Sequence, residues 1–284
     1  MRTPIEQQKL VESYWNDKPC DSDRSALAFG VNEYFKEIER DRYNHQRHIK
    51  QILSKIDWRG RDVLEIGTGV GTDARYIITH GASYTGVNVD QGSTDLTARA
   101  LEVFSLPGKV ERCSATDLKY ADGTFSAIYS FGVLHHIPEV TAAVSEIHRV
   151  LKPGGELLVM LYNRSSINYY VEIMFLRKLF RRLLILPGMT AVLAALGFPR
   201  NTLDRHRDLY KSLGPMTNEE WLSRNTDGPD NPYSRVYSYK EAEALIHQFR
   251  IVSNEVHFFD QRHWGFLGRM LPRFLIDWLG RHWG

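Results

Sequence analysis

The stretch DVLEIGTGVGTDARYIITH, residues 62–80, joins a short apolar run to a helical one through glycines at positions 67, 69 and 71. A strand that turns this tightly into a helix is the opening unit of a doubly wound α/β sheet. In such sheets the ligand crevice lies at the carboxyl ends of the strands, near the point where strand order reverses. The glycines have the spacing E-x-G-x-G-x-G. A dinucleotide fingerprint would put glycine at position 72, where Thr72 stands, and a P-loop would continue into Lys and Ser or Thr. Both phosphate-gripping readings are therefore disfavoured, and with them a nicotinamide-dependent oxidoreductase.

The alternation continues downstream. SYTGVN (83–88), KVERCS (109–114), FSAIYSF (125–131) and ELLVMLY (156–162) read as strands. Helices read through STDLTARALEVFS and TAAVSEIHRVLK, the second with Ile147, Val150 and Leu151 on one face, before PGG (153–155) turns the chain. Strands alternating with helices imply right-handed crossovers, so the fold expected is α/β, Rossmann-like and mainly parallel. Residues 1–58 read as an N-terminal helical lid, with Phe35, Ile38, Ile49 and Leu53 as its apolar positions. Residues 59–162 form the core. From Asn163 to Arg235 the alternation stops, and basic-apolar helices predict a helical cap inserted after the fifth strand. Residues 236–284 resume with a helix, YKEAEALIHQF, and an apolar strand, RIVSNEVHFF. They end in an amphipathic tail.

Composition narrows the setting. With 43% hydrophobic and 25% charged residues the chain reads as a soluble globular protein, and a net charge of +2 gives no electrostatic reason to expect nucleic acid. Cys20 and Cys113 make no disulfide framework, which points to a reducing cytoplasm. The N-terminus lacks the apolar centre of a signal peptide. The most apolar run (183–198) is interrupted by Pro187 and Gly188 and is short for a membrane span.

Three motifs in order, VLEIGTGVGTDA, FSAIYSFGVLHHIPE and EIHRVLKPGGELLVMLY, resemble the class I S-adenosylmethionine (SAM)-dependent methyltransferases, in particular a stand-alone bacterial subgroup similar to type 11 methyltransferase domains. The resemblance is strong over residues 60–162 and looser over nearly the whole chain. It implies SAM as cofactor, with Glu65 facing the ammonium of the methionine moiety. Gly67, Thr68, Gly69 and Gly71 would pass close beneath the cofactor, where a side chain would collide with it. Asn88, with Val89 beside it, takes the place of the usual ribose-binding acid. An amide there forfeits a charge-assisted bond. Asp90, two residues on, is either a substitute acid or the N-cap of the next helix. Ser114 replaces a second customary acid, Ala115 would offer its N–H to the adenine, and Phe131 completes the cofactor set. The resemblance also leads one to expect a last antiparallel strand after NEVHFF, where this chain instead ends at RHWG.

Methyl transfer from a sulfonium needs an aligned acceptor and a proton sink. His135 and His136, just past the fourth strand, are the candidate bases, because imidazole titrates near neutrality. Tyr162 and Asn163, at the end of the fifth strand, are candidate substrate contacts. Tyr14 and Trp15 either fold over the cofactor as a lid or pack in a core. His45 and His48 have no further ligands nearby in sequence, and no metal site is expected. The acceptor expected is a small molecule, with an oxygen, nitrogen or carbon atom accepting. The basic-apolar cap allows a lipid-like acceptor, peripheral membrane contact, or packing on a second subunit in a homo-oligomer. The alternative is a SAM-binding regulatory or scaffolding protein without methyl transfer.

Overall fold

The computed structural model describes residues 3–197, 199–228, 230–261 and 270–284, which form two compact units. The first comprises residues 1–162 and 236–254, the second residues 163–235 and 255–284.

The first unit is built on five parallel strands: β1 (Asp62–Ile66), β2 (Ser83–Asn88), β3 (Lys109–Arg112), β4 (Phe125–Phe131) and β5 (Leu151–Met160), in the order β3-β2-β1-β4-β5. The order reverses between β1 and β4, so these two neighbours define the switch point. Side chains alternate across the sheet with period two. Leu64, Ile66 and Ile128 join Val144, Ile147 and Val150 of helix α6 (Val140–Val150) in one core. Val63, Ala127 and Tyr129 face the other way, onto Trp58, Ile77 and Leu53. Each such apolar side chain contributes roughly 1.5–3 kcal/mol by leaving water.

Helix α1 (Pro4–Asp17) starts where Thr3 and Glu6 form a capping box ahead of Pro4. Helices α2 (Asn32–His45) and α3 (Arg47–Leu53) follow, then α4 (Thr72–Thr79) after β1 and α5 (Gln91–Val103) after β2. A helix at Tyr239–Leu245 completes this unit.

Three expectations need correction. The helical reading of residues 1–58 is interrupted, among other places, at Gln46 (φ −109°, ψ 60°), so His45 closes α2 and His48 lies within α3. Strand β5 starts earlier than ELLVMLY: Leu151 already pairs with Phe125, and the next pair is Glu156 with Ala127. Lys152–Gly155 is thus looped out within the strand. The predicted strand Arg250–Phe259 does not form among the described residues. Val252 is 84% exposed and the run Ser253–Glu255 is exposed too, so the middle of this segment has no buried face to pair over.

The second unit is helical. A π-helical stretch, Asn168–Arg177, leads into α7 (Lys178–Leu184), followed by α8 (Met189–Ala195), α9 (Arg200–Leu213) and α10 (Asn218–Ser223), with a C-terminal helix at Arg273–Trp283. Its centre is Trp221, whose indole N–H donates to the Ile173 carbonyl at 2.8 Å. The Arg181 guanidinium lies 5.5 Å from the Trp221 ring and 5.7 Å from Tyr210. Of the tail, residues 266–269 lie outside the described residues.

Candidate active site at the carboxyl edge of the sheet

The loop after β1 meets the loop after β4 at the switch point. Gly67 has φ +77°, a conformation that favours glycine, and a Cβ there would lie 2.2 Å from Cγ2 of Val133. Gly69 backs onto Cys20, and Gly71 onto Thr97 of α5. Each glycine of the motif thus admits a different neighbour. Val133, which sequence reasoning passed over, is the piece that locks the two loops together.

Asn88 ends β2 and is buried. Its Oδ1 accepts the Thr68 backbone N–H at 2.7 Å, and its Nδ2 donates to the Thr68 hydroxyl at 2.8 Å. A chain of bonds runs on from there, its direction fixed at the far end by Thr97, whose single hydroxyl proton goes to Gly69. Thr68 Oγ1, having accepted from Asn88, donates to Thr97 Oγ1 at 2.6 Å, which donates to the Gly69 carbonyl at 3.0 Å. The side chain expected to meet a ribose is therefore also the clamp of the glycine loop. Asp90 is the N-cap of α5, accepting from Ser93 N–H at 2.6 Å. Val89 offers its carbonyl to Arg112 at 3.1 Å.

Glu65 is buried near the end of β1, and Tyr84 donates to it at 2.6 Å. Gly86 permits this contact, since a Cβ there would stand 2.7 Å from the Tyr84 hydroxyl. Burial first, and then the neighbouring Asp73, push the Glu65 pKa well above the ordinary carboxylate range. The Tyr84 bond and Arg42 work against that rise.

Asp73, in the first turn of α4, gathers a network that motif reading did not find. It accepts from Arg42 Nη2 at 2.8 Å, Tyr43 at 2.9 Å and Tyr129 at 2.9 Å, and Arg42 also reaches Asp21 at 2.9 Å. Burial works to lower the Arg42 pKa, but Asp73 and Asp21 overcome it and hold the guanidinium charged. Phe131, at the end of β4, lies beneath that guanidinium at 5.9 Å and beside His48. Helix α2 is thereby fastened to the helix that follows the glycine loop.

After β4, a short 3-10 turn (Leu134–His136) carries the two histidines into the interior. The His135 ring stacks on Tyr162 with centroids 3.7 Å apart, and the His136 ring lies 4.3 Å from that of His135. Trp15 of α1 meets His136 edge-on at 5.2 Å, with Tyr14 against its other side at 5.0 Å. Helix α1 therefore reaches the carboxyl edge of the sheet. Two further bonds hold it there: Gly92 N–H donates to Asn16 Oδ1 at 3.0 Å, and Arg112 pairs with Glu12. Ser114 and Thr116 share a hydrogen bond of 2.8 Å in the turn after β3, with Ala115 buried between them and Asp117 exposed and paired with Lys119. Asn163 lies in the second unit, where its amide donates to the Gly284 carbonyl at 2.7 Å.

The family model described as a methyltransferase domain matches residues 64–159, the stretch from β1 to β5 that carries this edge. The chain is 33% identical over 116 residues to an O-methyltransferase from Aspergillus nomiae, covering 40% of this chain and 51% of that one. It is 29% identical over 160 residues to a fatty-acid O-methyltransferase from Mycolicibacterium smegmatis, covering 53% and 57%. The chain thus spans about half the length of these curated relatives. The fold is similar to that of magnesium protoporphyrin IX methyltransferase from Synechocystis PCC 6803, with a TM-score of 0.56 at 13% identity over 89% of this chain and 94% of that one. Family model, motifs and sheet order together identify residues 64–159 as a methyltransferase domain of the class I SAM-dependent kind.

Proposed function

We propose that this protein transfers a methyl group from SAM to an oxygen, nitrogen or carbon atom of a small, lipid-like molecule. The observation that carries the reading is the convergence of Asn88, the glycine loop and the His135–His136–Tyr162 stack on one edge of the sheet. The residues fit the cofactor in a second respect. The Thr72 hydroxyl, directly after the glycine loop, is buried without a hydrogen-bond partner among the described residues, which suits a polar ligand there. Glu65, Gly67, Thr68, Gly69, Gly71, Asn88, Val89, Ser114, Ala115 and Phe131 are the residues that would hold it.

When bound, SAM supplies an electrophilic methyl group. The protein's part is to align the acceptor, exclude water and take a proton. Tyr162 covers one face of His135, which makes His135 the positioning member of the pair. His136, touched edge-on by Trp15, is the base for the acceptor's hydroxyl or amine proton. A lipid-like acceptor draws support from the fatty-acid O-methyltransferase and from a second similar relative, a phthiotriol/phenolphthiotriol dimycocerosates methyltransferase of Mycobacterium ulcerans (30% identical over 149 residues). Cys20 and Cys113 form no disulfide with each other, which suits a cytoplasmic setting.

The test is calorimetric titration with S-adenosylhomocysteine, followed by mass-spectrometric screening of fatty acids, phenols and amines for a gain of one methyl group. His136→Asn should cut turnover at least about a hundredfold while leaving product affinity unchanged. Binding without turnover on any acceptor, and indifference to both histidine substitutions, would favour the scaffolding alternative.

A further inference from the structure

The second unit shows its apolar side chains to the outside. Ten of the twenty-one exposed large apolar residues among the described ones fall between Tyr170 and Leu196, a small fraction of the chain. Along the π-helical stretch and α7 they recur about once per turn: Val171, Phe175, Leu179, Leu183 and Leu186, with Phe175 61% exposed. The opposite side of the same helix is buried through Glu172, Ile173 and Leu184. A surface helix ordinarily buries its apolar stripe and exposes its charges. Here the stripe points outward.

The charges beside it are of one sign. Between residues 164 and 200 the only acid is Glu172, which is buried and bonded by Arg177 at 2.8 Å. Lys178 and Arg182 lie along the helix, and neither has an ion-pair partner among the described residues. An exposed apolar stripe with cations beside it, and no free acid in the same stretch of chain, complements an anionic bilayer surface. Its apolar side chains enter the acyl boundary while the cations meet phosphate headgroups. No helix here is long and apolar enough to cross a membrane among the described residues, so contact would be in the plane of the interface.

We propose that the helix spanning Asn168–Leu184, with Leu186 beyond it, docks this protein onto anionic lipid membranes. This inference does not rest on the methyltransferase reading, and either can fail without the other.

The full chain would be sedimented with vesicles of phosphatidylcholine alone, and with vesicles containing about one third phosphatidylglycerol. The wild type should partition at least about tenfold more strongly onto the anionic vesicles, and added salt should release it. The double variant Phe175→Ser/Leu179→Ser should lose at least about tenfold in partitioning, since both side chains would lose their burial in the acyl boundary. Arg182→Glu should weaken binding to anionic vesicles alone. Unchanged S-adenosylhomocysteine titration and circular dichroism would show that the variants remain folded. Absence of sedimentation with either vesicle, or equal binding by the double variant, would overturn the proposal. So would light scattering that reveals a dimer which the double variant converts to monomer, because the stripe would then be covered by a second copy.

Discussion

Asn88 grips Thr68 twice, accepting its backbone N–H and donating to its hydroxyl, and the bonds run on from Thr68 to Thr97 and from Thr97 to Gly69. A carboxylate in this position could accept from Thr68 but could not donate. The chain of bonds explains why an amide stands where an acid is customary in related sheets.

Asn88→Asp should therefore separate stability from affinity. Reversing the Thr68 hydroxyl breaks the link to Thr97 and costs about 1 kcal/mol of stability. The new charge should tighten S-adenosylhomocysteine about fivefold, the difference between a neutral and a charge-assisted bond. Thermal unfolding and calorimetry read the two effects independently. Unchanged or weaker product binding would mean that the ribose is held elsewhere.

Gly67→Ala should be severely destabilising, by about 2–4 kcal/mol, from its left-handed backbone and the collision with Val133 together. Adding Val133→Ala removes the collision and leaves the backbone strain, so the double variant should recover part of the loss. A double variant no better than the single one would show that packing contributes nothing.

Glu65 makes a pH-dependent prediction whose sign is unusual for an acid. Its folded pKa is raised, so the folded protein binds a proton more tightly than the unfolded chain does. Below the unfolded pKa of about 4.3 the carboxyl is neutral in both states and no stability is lost. As pH rises from there toward the folded pKa, the unfolded chain releases its proton while the buried carboxyl keeps its own, so stability falls progressively until the buried group also ionises. Glu65→Gln, which can keep the Tyr84 bond, should match the wild type in acid and melt higher than it toward neutral pH. The same variant should bind S-adenosylhomocysteine more weakly if Glu65 meets the ammonium. Identical melting curves across this range would refute the buried-acid account.

Asp73→Ala should cost about 3–5 kcal/mol, because it leaves the buried Arg42 with only Asp21. Tyr43→Phe and Tyr129→Phe, which each remove one donor to Asp73, should cost about 1 kcal/mol apiece. Urea denaturation measures all three. A loss below that of either tyrosine variant would show that Asp73 does not organise the cluster.

How much of this was legible beforehand depended on the kind of signal. The strands SYTGVN and FSAIYSF are read with correct ends, because turn residues bound each apolar run and the sheet buries them on both faces. Arg250–Phe259 has apolar residues at both ends but exposes its polar middle, so composition suggested a strand whose centre has nothing to pack on. The glycine motif and LHH pair were visible as local patterns. The Asp73 cluster was not: Asp21, Arg42, Tyr43, Asp73 and Tyr129 are far apart in sequence and belong to no shared motif. Nor does a sequence indicate that the amide of Asn88 turns back onto Thr68, since that depends on how closely two loops approach.

The two helices that flank the carboxyl edge are held by bonds of different kinds. Helix α2 is bound through a largely buried ion cluster, whereas the polar ties of α1 described above are an exposed Arg112–Glu12 pair and the Asn16–Gly92 bond, beside the burial of Val11 and the edge of Trp15. Surface pairs contribute little, and buried ones cannot be broken singly without a large loss. Backbone amides of α1 should therefore exchange with solvent through a shallow local fluctuation, while those of α2 and α4 wait for global unfolding. An opening of α1 would take Trp15 off His136 while leaving the glycine loop fastened, so that a ligand could enter without first disassembling the cradle meant to receive it.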